Sequence, residues 1–121
     1  MHLQESGEMY LEAILVLSQR GKPVRSIDVG EYLGYTKPSV SRAMSLLRGG
    51  GYVLTGKDGF LSLTEAGLEV AERIYERHRV LSTLFMSLGV DEETATEDAC
   101  RIEHVISSKT FEAIKRYCEV P

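Results

Sequence analysis

The sequence predicts a mainly α-helical protein with a small β-wing, in which a winged helix-turn-helix is followed by a helical domain. Three observations predict this fold. Two short helical patterns are separated by a tight turn at Gly34, two β-prone runs flank an Asp-Gly step, and a long helical pattern follows them. We therefore assign residues 1–67 to the winged helix-turn-helix and residues 68–121 to the helical domain.

The first two helices are predicted from apolar spacing and from the residues that end them. Apolar side chains recur at near-helical spacing over about residues 7–19, and the Gly-Lys-Pro at 21–23 stops this pattern. Ser26 is expected to cap a second helix over residues 27–33, because a serine hydroxyl can accept a hydrogen bond from a backbone N–H of the first turn. Gly34 is expected to end that helix.

The third helix is predicted from Lys37 to about Leu47, with Thr36 as its cap and Pro38 in its first turn. Together with the second helix it forms a helix-turn-helix, in which the start of the third helix faces DNA. The expected shared core consists of Val29, Leu33, Val40, Ala43, Met44 and Leu47. The side chains expected to point outward are those of Lys37, Ser39, Ser41 and Arg42.

The wing and the long helix after it are predicted from turn and capping residues. Tyr52–Thr55 and Phe60–Leu63 are expected to form a two-stranded hairpin around the Asp-Gly step. Thr64 is expected to cap a helix that reaches about Leu88, because threonine is a favoured capping residue. The acidic Glu65 then lies at the positive end of the helix dipole, where a negative charge is stabilising. A last helix is predicted after the serines at 107–108.

Charge is divided unevenly along the chain, although the net charge is −4. Residues 64–121 carry twelve acidic and seven basic side chains, so that the acidity lies in the second half. Residues 21–57 carry six basic and two acidic side chains. This local excess can face phosphates, as a DNA-binding module requires.

The composition indicates one compact unit, or a small reading head with a helical extension, because the chain has 121 residues of which 43% are hydrophobic. No apolar run approaches the roughly 18 residues that span a bilayer, and the start lacks a signal-peptide pattern. We expect a cytoplasmic protein without a membrane partner. Two cysteines, Cys100 and Cys118, are too few for a disulfide framework.

A metal-donor pattern lies in the helix predicted from Asp91 to about Ile106. Cys100, Glu103 and His104 occupy positions i, i+3 and i+4, which place their side chains on one helix face. Thiolate, carboxylate and imidazole together suit a divalent transition metal. A core cysteine beside a surface Glu-His pair is the structural alternative, and a zinc finger is disfavoured because no second Cys/His pair has the required spacing.

Five stretches along nearly the whole chain share the order of motifs of a known family. They are Glu8-Met9-Tyr10-Leu11-Glu12, Pro38-Ser39-Val40-Ser41, Leu63-Thr64-Glu65-Ala66-Gly67, Glu76-Arg77-His78-Arg79-Val80-Leu81 and Ala99-Cys100-Arg101-Ile102-Glu103-His104-Val105. With these stretches the chain resembles metal-dependent repressors of the diphtheria-toxin-repressor and manganese-transport-regulator type. The resemblance implies that the helical domain binds metal and dimerises, in a short form that lacks the SH3-like domain of the iron branch.

The resemblance implies that Met9 joins Cys100, Glu103 and His104 around the regulatory metal. The iron-sensing branch typically has Met and Cys at the first two of these positions, whereas the manganese-sensing branch has carboxylates. Thioether and thiolate are soft donors, which favour Fe(II) over Mn(II). We therefore expect Fe(II) first and Mn(II) second as the cofactor.

The resemblance also implies a second metal position with a mixed signature. His78 matches a ligand of both branches, and Glu12 matches a carboxylate of the manganese branch. Ser82 and Thr96 depart from the Glu and His of the iron branch. The second position is therefore weakened, or it is rebuilt with Glu12 and, as a further candidate, Glu97.

The expected partners are a double-stranded DNA operator and a second copy of the chain, without a small organic substrate. For base reading we favour Lys37, Ser39 and Arg42, and for phosphate contacts Arg25, Thr36, Ser41 and Lys57. The apolar residues expected at the dimer interface, or in a simple core, are Leu84, Phe85, Leu88, Val105 and Ile106.

These residues are compatible with three functions. The favoured one is an iron- or manganese-dependent repressor of metal-homeostasis genes. An enzyme with Cys100 as nucleophile and His104 as base is disfavoured, because no oxyanion loop or third orienting group accompanies them. A metal-independent winged-helix module that binds DNA or protein, with a structural Cys-Glu-His face, remains the alternative.

Overall fold

The computed structural model describes residues 3–119, which form six α-helices and one small antiparallel sheet. The elements in chain order are α1 (Glu5–Ser18), β1 (Val24–Arg25), α2 (Ser26–Leu33), α3 (Lys37–Gly49), β2 (Val53–Thr55), β3 (Phe60–Leu63), α4 (Glu65–Ser87), α5 (Glu92–Ile102) and α6 (Ser108–Glu119). Two compact units result, Met1–Glu72 and Arg73–Pro121, and the division falls inside α4. The predicted mainly α-helical fold with a β-wing is confirmed.

The wing contains three strands, in the order β1-β3-β2, where the sequence predicted two. Val24 pairs with Leu61 in the added strand, and Val53 pairs with Leu63 across the hairpin. The prediction missed β1 because a strand of two residues is too short to show an alternating pattern. β1 therefore connects the segment before α2 to the wing.

The helix-turn-helix is capped differently at its two helices. Thr36 caps α3 as predicted, since its Oγ1 accepts a hydrogen bond from the Ser39 N–H at 3.3 Å. The prediction for α2 was wrong, because Ser26 is its first helical residue rather than its cap. There the Asp28 carboxylate reaches back and accepts the Arg25 N–H at 2.8 Å. An acidic group near a helix start is also favoured by the helix dipole.

The core of the first unit gathers side chains from α1, from both helices of the helix-turn-helix and from the sheet. Of the six core residues predicted for the helix-turn-helix, Val29, Val40, Met44 and Leu47 are buried, whereas Leu33 and Ala43 are half-buried. Other buried members of this unit are Leu11, Ala13, Ile14, Val24, Val53 and Leu61.

The start of α4 packs tightly against the segment before β2. Thr64 caps this helix, since its Oγ1 accepts the Gly67 N–H at 3.1 Å and donates to the Gly51 carbonyl at 2.6 Å. A Cβ on Gly67 would lie 2.1 Å from the Tyr52 carbonyl oxygen. The glycine of the Leu-Thr-x-x-Gly motif is therefore required by a close approach of backbone.

The second unit combines the remainder of α4 with α5 and α6. Its buried apolar residues are Ile74, Leu81, Ala95, Ala99 and Phe111. Asp91, predicted as the start of this helix, is the cap that precedes α5, and the hydrogen bond from the Thr94 N–H lowers the pKa of the Asp91 carboxyl. Within residues 3–119, no helix combines the length and hydropathy needed to cross a bilayer.

The end of α5 differs from the prediction, since the helix stops at Ile102 rather than near Ile106. Glu103 is the C-terminal cap, with its N–H still bonded to the Ala99 carbonyl, and His104 lies in the turn that follows. No glycine or proline marks this end, so the pattern of the sequence did not reveal it.

We predict that Gly67→Ala destabilises the fold by about 2 kcal/mol or more, because the new methyl group would clash with the Tyr52 backbone carbonyl. Thermal or urea unfolding measures this loss. Gly49→Ala is the matched control, since Gly49 is also helical and a Cβ there meets nothing within 4 Å. Equal stability of the two variants would contradict the prediction.

Candidate metal centre and DNA-facing surface

The carboxylate of Glu103 lies between two imidazole rings at the end of α5. Its Oε2 is 2.9 Å from His78 Nδ1 on α4, and its Oε1 is 3.3 Å from His104 Nε2. The Glu103 side chain is fully buried and the His104 side chain is 1% exposed. His78 on α4 thus joins Glu103 and His104, which follow the last residue of α5, in one cluster around a buried carboxylate.

The chemistry of this cluster fits a divalent transition metal. A buried carboxylate is costly unless it is paired or coordinates a cation, and imidazole nitrogens are common transition-metal ligands. Cys100 stands one turn before Glu103 on α5, where its half-buried thiol forms no disulfide. Cys118 is exposed on α6. A thiolate at position 100 would add a soft donor to the nitrogen and oxygen donors.

The turn that carries Glu103 and His104 is held by Arg77, a buried residue of α4. The Arg77 Nη1 donates to the carbonyls of Glu103 at 3.1 Å and Ile106 at 2.8 Å, and its Nη2 donates to Ser108 Oγ at 3.1 Å. The guanidinium also lies 5.5 Å from the Phe111 ring centroid. One cation therefore connects α4 with the end of α5 and the start of α6.

A second contact joins α6 to α4 at the surface of the same unit. Lys115 Nζ donates to Glu76 Oε1 at 3.2 Å, and this hydrogen bond is the main reason why the pKa of Lys115 is raised. The pair is partly exposed, so its contribution to stability is small compared with that of the buried Arg77.

The positions where the chain departs from the iron branch are not gathered into this cluster as donors. Ser82 is buried, but its hydroxyl donates to the His78 carbonyl on the same helix. This bond uses the hydroxyl proton within α4. Thr96 and Glu97 lie exposed on α5.

The remaining predicted ligands, Met9 and Glu12, lie on α1 in the first unit. They are three residues apart, which places them on one face of that helix, and both are half-buried. Met9 Sδ accepts a hydrogen bond from the Tyr35 hydroxyl at 3.1 Å. The sequence did not identify Tyr35, because nothing in its spacing relates it to α1.

The predicted DNA-reading residues lie on the exposed surface of the first unit. Lys37, Ser39, Ser41 and Arg42 are all exposed in the first half of α3, and Lys57 is exposed in the wing turn. Thr36 donates its hydroxyl to Ser39 Oγ at 2.9 Å. The exposed Arg25 lies with its guanidinium 4.6 Å from the Phe60 ring centroid, so that its charge stays beside the wing.

A contact that the sequence did not reveal connects α3 with the wing. Arg48, near the end of α3, donates from Nη1 to Thr55 Oγ1 on β2 at 2.9 Å. From the sequence, this basic side chain contributes only to the local positive charge. Its position shows that it also orients the wing relative to α3.

Comparison with known proteins agrees with both units. Residues 2–61 match the family model of the iron-dependent repressor N-terminal DNA-binding domain, and residues 64–121 match that of the metal-binding and dimerisation domain. The chain belongs to the iron-dependent repressor family. This is a family of metal-dependent, DNA-binding transcriptional repressors, and the predicted family resemblance is confirmed.

Two relatives illustrate the range of this repressor family. An uncharacterized HTH-type transcriptional regulator of Methanocaldococcus jannaschii is 31% identical over 119 residues, covering 97% of this chain and 95% of the relative. The diphtheria toxin repressor of Corynebacterium diphtheriae is 30% identical over 108 residues, covering 88% of this chain and 48% of the relative. The chain therefore spans about half the length of that repressor.

A solved structure gives the same result for the fold. The structure of the manganese regulator SloR superimposes with a TM-score of 0.84 at 26% identity, covering 100% of this chain and 56% of SloR. Iron appears in the description of the matched family and manganese in that of SloR. The choice between the two metals in this chain therefore has to be argued from its own donors.

We predict that Arg77→Leu destabilises the protein by about 3 kcal/mol, because one buried carbonyl, one part-buried carbonyl and a hydroxyl lose a charged donor. Urea unfolding measures the loss, and Arg77→Lys should recover part of it. Arg79→Leu is the matched control, since Arg79 is exposed and its guanidinium lies 5.5 Å from the Tyr75 ring centroid. If Arg77→Leu lowered the free energy of unfolding no more than Arg79→Leu, the structural role assigned to Arg77 would be contradicted.

Proposed function

We propose that the protein is a transcriptional repressor of metal-homeostasis genes in the cytoplasm, whose DNA binding requires Fe(II) or Mn(II). The single observation that carries this proposal is the buried Glu103 carboxylate with an imidazole nitrogen facing each of its oxygens. Histidine is a common metal ligand, and two histidine nitrogens facing one buried carboxylate favour a cation-binding site.

The proposed ligands form two positions that share Glu103. The first position uses Met9, Cys100, Glu103 and His104, and the second uses Glu12 and His78 together with the other oxygen of Glu103. This division is supported by the facing of Oε1 toward His104 and of Oε2 toward His78. Bound metal would supply positive charge that neutralises these carboxylates.

Fe(II) is our first choice of metal and Mn(II) the second. Met9 and Cys100 would contribute sulfur, and soft donors bind manganese less well than iron. Glu12 is a hard donor of the kind that manganese accepts. The ligand set therefore favours iron at the first position while leaving the second position suited to either metal.

The proposed DNA contacts come from α3 and its flanks. Lys37, Ser39 and Arg42 would reach base edges, while Arg25, Thr36, Ser41 and Lys57 would contact phosphates. This assignment is supported by the exposure of these side chains and by the cap at Thr36, which fixes where α3 begins. A dimer would present two such helices to successive major grooves, about 34 Å apart.

The proposed dimer interface belongs to the second unit. Leu88 and Val105 are 71% and 70% exposed, which is high for large apolar residues. Burial of such residues against a second copy would remove apolar surface from water. Leu84, Phe85 and Ile106, which are half-buried, would complete the interface.

The decisive experiment measures DNA affinity with and without metal. A duplex is first selected from a random-sequence pool by the protein in the presence of Mn(II), and affinity is then measured by fluorescence anisotropy after chelation and after anaerobic addition of Fe(II) or Mn(II). We predict at least about a ten-fold gain in affinity with metal, as expected for an allosteric coupling between two sites. Glu103→Gln should abolish the gain.

Glu112→Gln is the matched control, because Glu112 is an exposed carboxylate of α6 in the same unit. It should respond to metal as the unmodified chain does. DNA binding that ignored metal in the unmodified chain would favour the metal-independent winged-helix module instead. Failure to select any DNA sequence, both with Mn(II) and in a parallel anaerobic selection with Fe(II), would contradict the repressor function itself.

We further predict that the double variant Met9→Asp, Cys100→Glu shifts the ratio of Fe(II) to Mn(II) affinities toward manganese by about ten-fold or more, because carboxylates replace both soft donors. Competitive anaerobic titration measures the ratio. Cys118→Glu changes an exposed cysteine outside the proposed ligand set and should leave the ratio unaltered. An unchanged ratio in the double variant would remove Met9 and Cys100 from the site.

A further inference from the structure

Tyr35 occupies the turn of the helix-turn-helix, directly before the cap of the recognition helix. Gly34 ends α2 in the left-handed conformation, with φ of 75°, and Thr36 begins the capping of α3. The Tyr35 N–H donates to the Gly30 carbonyl at 3.0 Å. A Cβ on Gly30 would lie only 3.2 Å from the Tyr35 carbonyl oxygen, so the Tyr35 backbone is packed closely on α2.

The side chain of Tyr35 extends from this turn to α1. Its hydroxyl donates to Met9 Sδ at 3.1 Å. Its ring meets that of Tyr10 edge-on, with centroids 5.7 Å apart and an interplanar angle of 64°. Because the backbone is held on α2 and the ring is held on α1, the hydroxyl is directed at the sulfur. A single side chain thus joins a proposed metal ligand to the start of α3.

The same sulfur atom is needed for two interactions. A thioether is a weak hydrogen-bond acceptor, and it binds a metal through a lone pair on the same atom. A cation bound to the sulfur withdraws electron density and weakens the hydrogen bond from the hydroxyl. The hydrogen bond therefore opposes coordination of Met9, and coordination opposes the hydrogen bond.

We propose that Tyr35 is a positioning residue that couples metal occupancy to the recognition helix. Its hydroxyl holds Met9 when the metal position is empty and is released when Met9 becomes a ligand. Release removes a restraint on the residue that precedes Thr36, and α3 then adopts the orientation that binds DNA. This inference rests on the proposed function, in which Met9 is a ligand.

Thermodynamic linkage determines in which direction Tyr35→Phe changes the affinities for metal and for DNA. The variant loses one oxygen atom and keeps the ring, so that only the restraint on Met9 is removed. Metal should bind the DNA-free variant about two- to five-fold more tightly, which corresponds to one weak hydrogen bond. The metal-free variant should bind DNA more tightly by the same factor, while the metal-loaded variant should bind DNA as the unmodified chain does.

The test measures the affinity for Mn(II) and for anaerobic Fe(II) by calorimetry without DNA, and the affinity for the selected duplex with and without metal. A purely structural loss would weaken both affinities or leave them unchanged, so that a gain in both identifies coupling. Tyr32→Phe is the matched control, because Tyr32 is an exposed tyrosine of α2 in the same unit. It should reproduce the unmodified chain.

The possible results separate the two proposals. If the unmodified chain gains DNA affinity with metal but Tyr35→Phe shows neither tighter metal binding nor tighter metal-free DNA binding, the coupling through Tyr35 is overturned alone. If the DNA affinity of the unmodified chain ignores metal, the proposed function and this coupling are overturned together. Gains in both affinities of Tyr35→Phe, absent from Tyr32→Phe, support the coupling.

Discussion

Burial of the Glu103 carboxylate is the constraint on which the second unit depends. An ionised carboxylate removed from water costs several kcal/mol unless opposite charge or hydrogen-bond donors compensate for it. His78 and His104 face its two oxygens at 2.9 and 3.3 Å. Through this side chain the end of α5 is held against α4. The same compensation can be supplied more strongly by a cation, which explains why such a cluster suits a metal-responsive protein.

The position of the ligands at a helix end, rather than within a helix, has a further consequence. Beyond Ile102 the backbone carbonyls lose their helical partners, and a buried helix end needs other donors. Arg77 supplies them to Glu103 and Ile106. The orientation of Glu103 and His104 therefore depends on a residue that is not itself a proposed ligand. Such supporting contacts commonly decide how well a site binds metal.

In the first unit, side-chain contacts likewise hold α3 at its two ends and at the turn before it. Thr36 caps its start, Arg48 ties its end to Thr55 of the wing, and Tyr35 connects the preceding turn to Met9. Each contact is a single polar interaction of modest strength. Together they link α3 to the wing and the turn before α3 to α1.

The sequence by itself determined the family, the winged helix-turn-helix, the cap at Thr36 and the predicted ligand types, because these depend on local spacing and residue chemistry. It did not reveal β1, the end of α5 at Ile102, or the roles of Arg77 and Tyr35. Those features arise from contacts between residues 25 to 39 positions apart or from pairing of a strand too short to show a pattern. Only the tertiary structure decided them, since periodicity along a chain records which face is buried and not which side chain lies opposite.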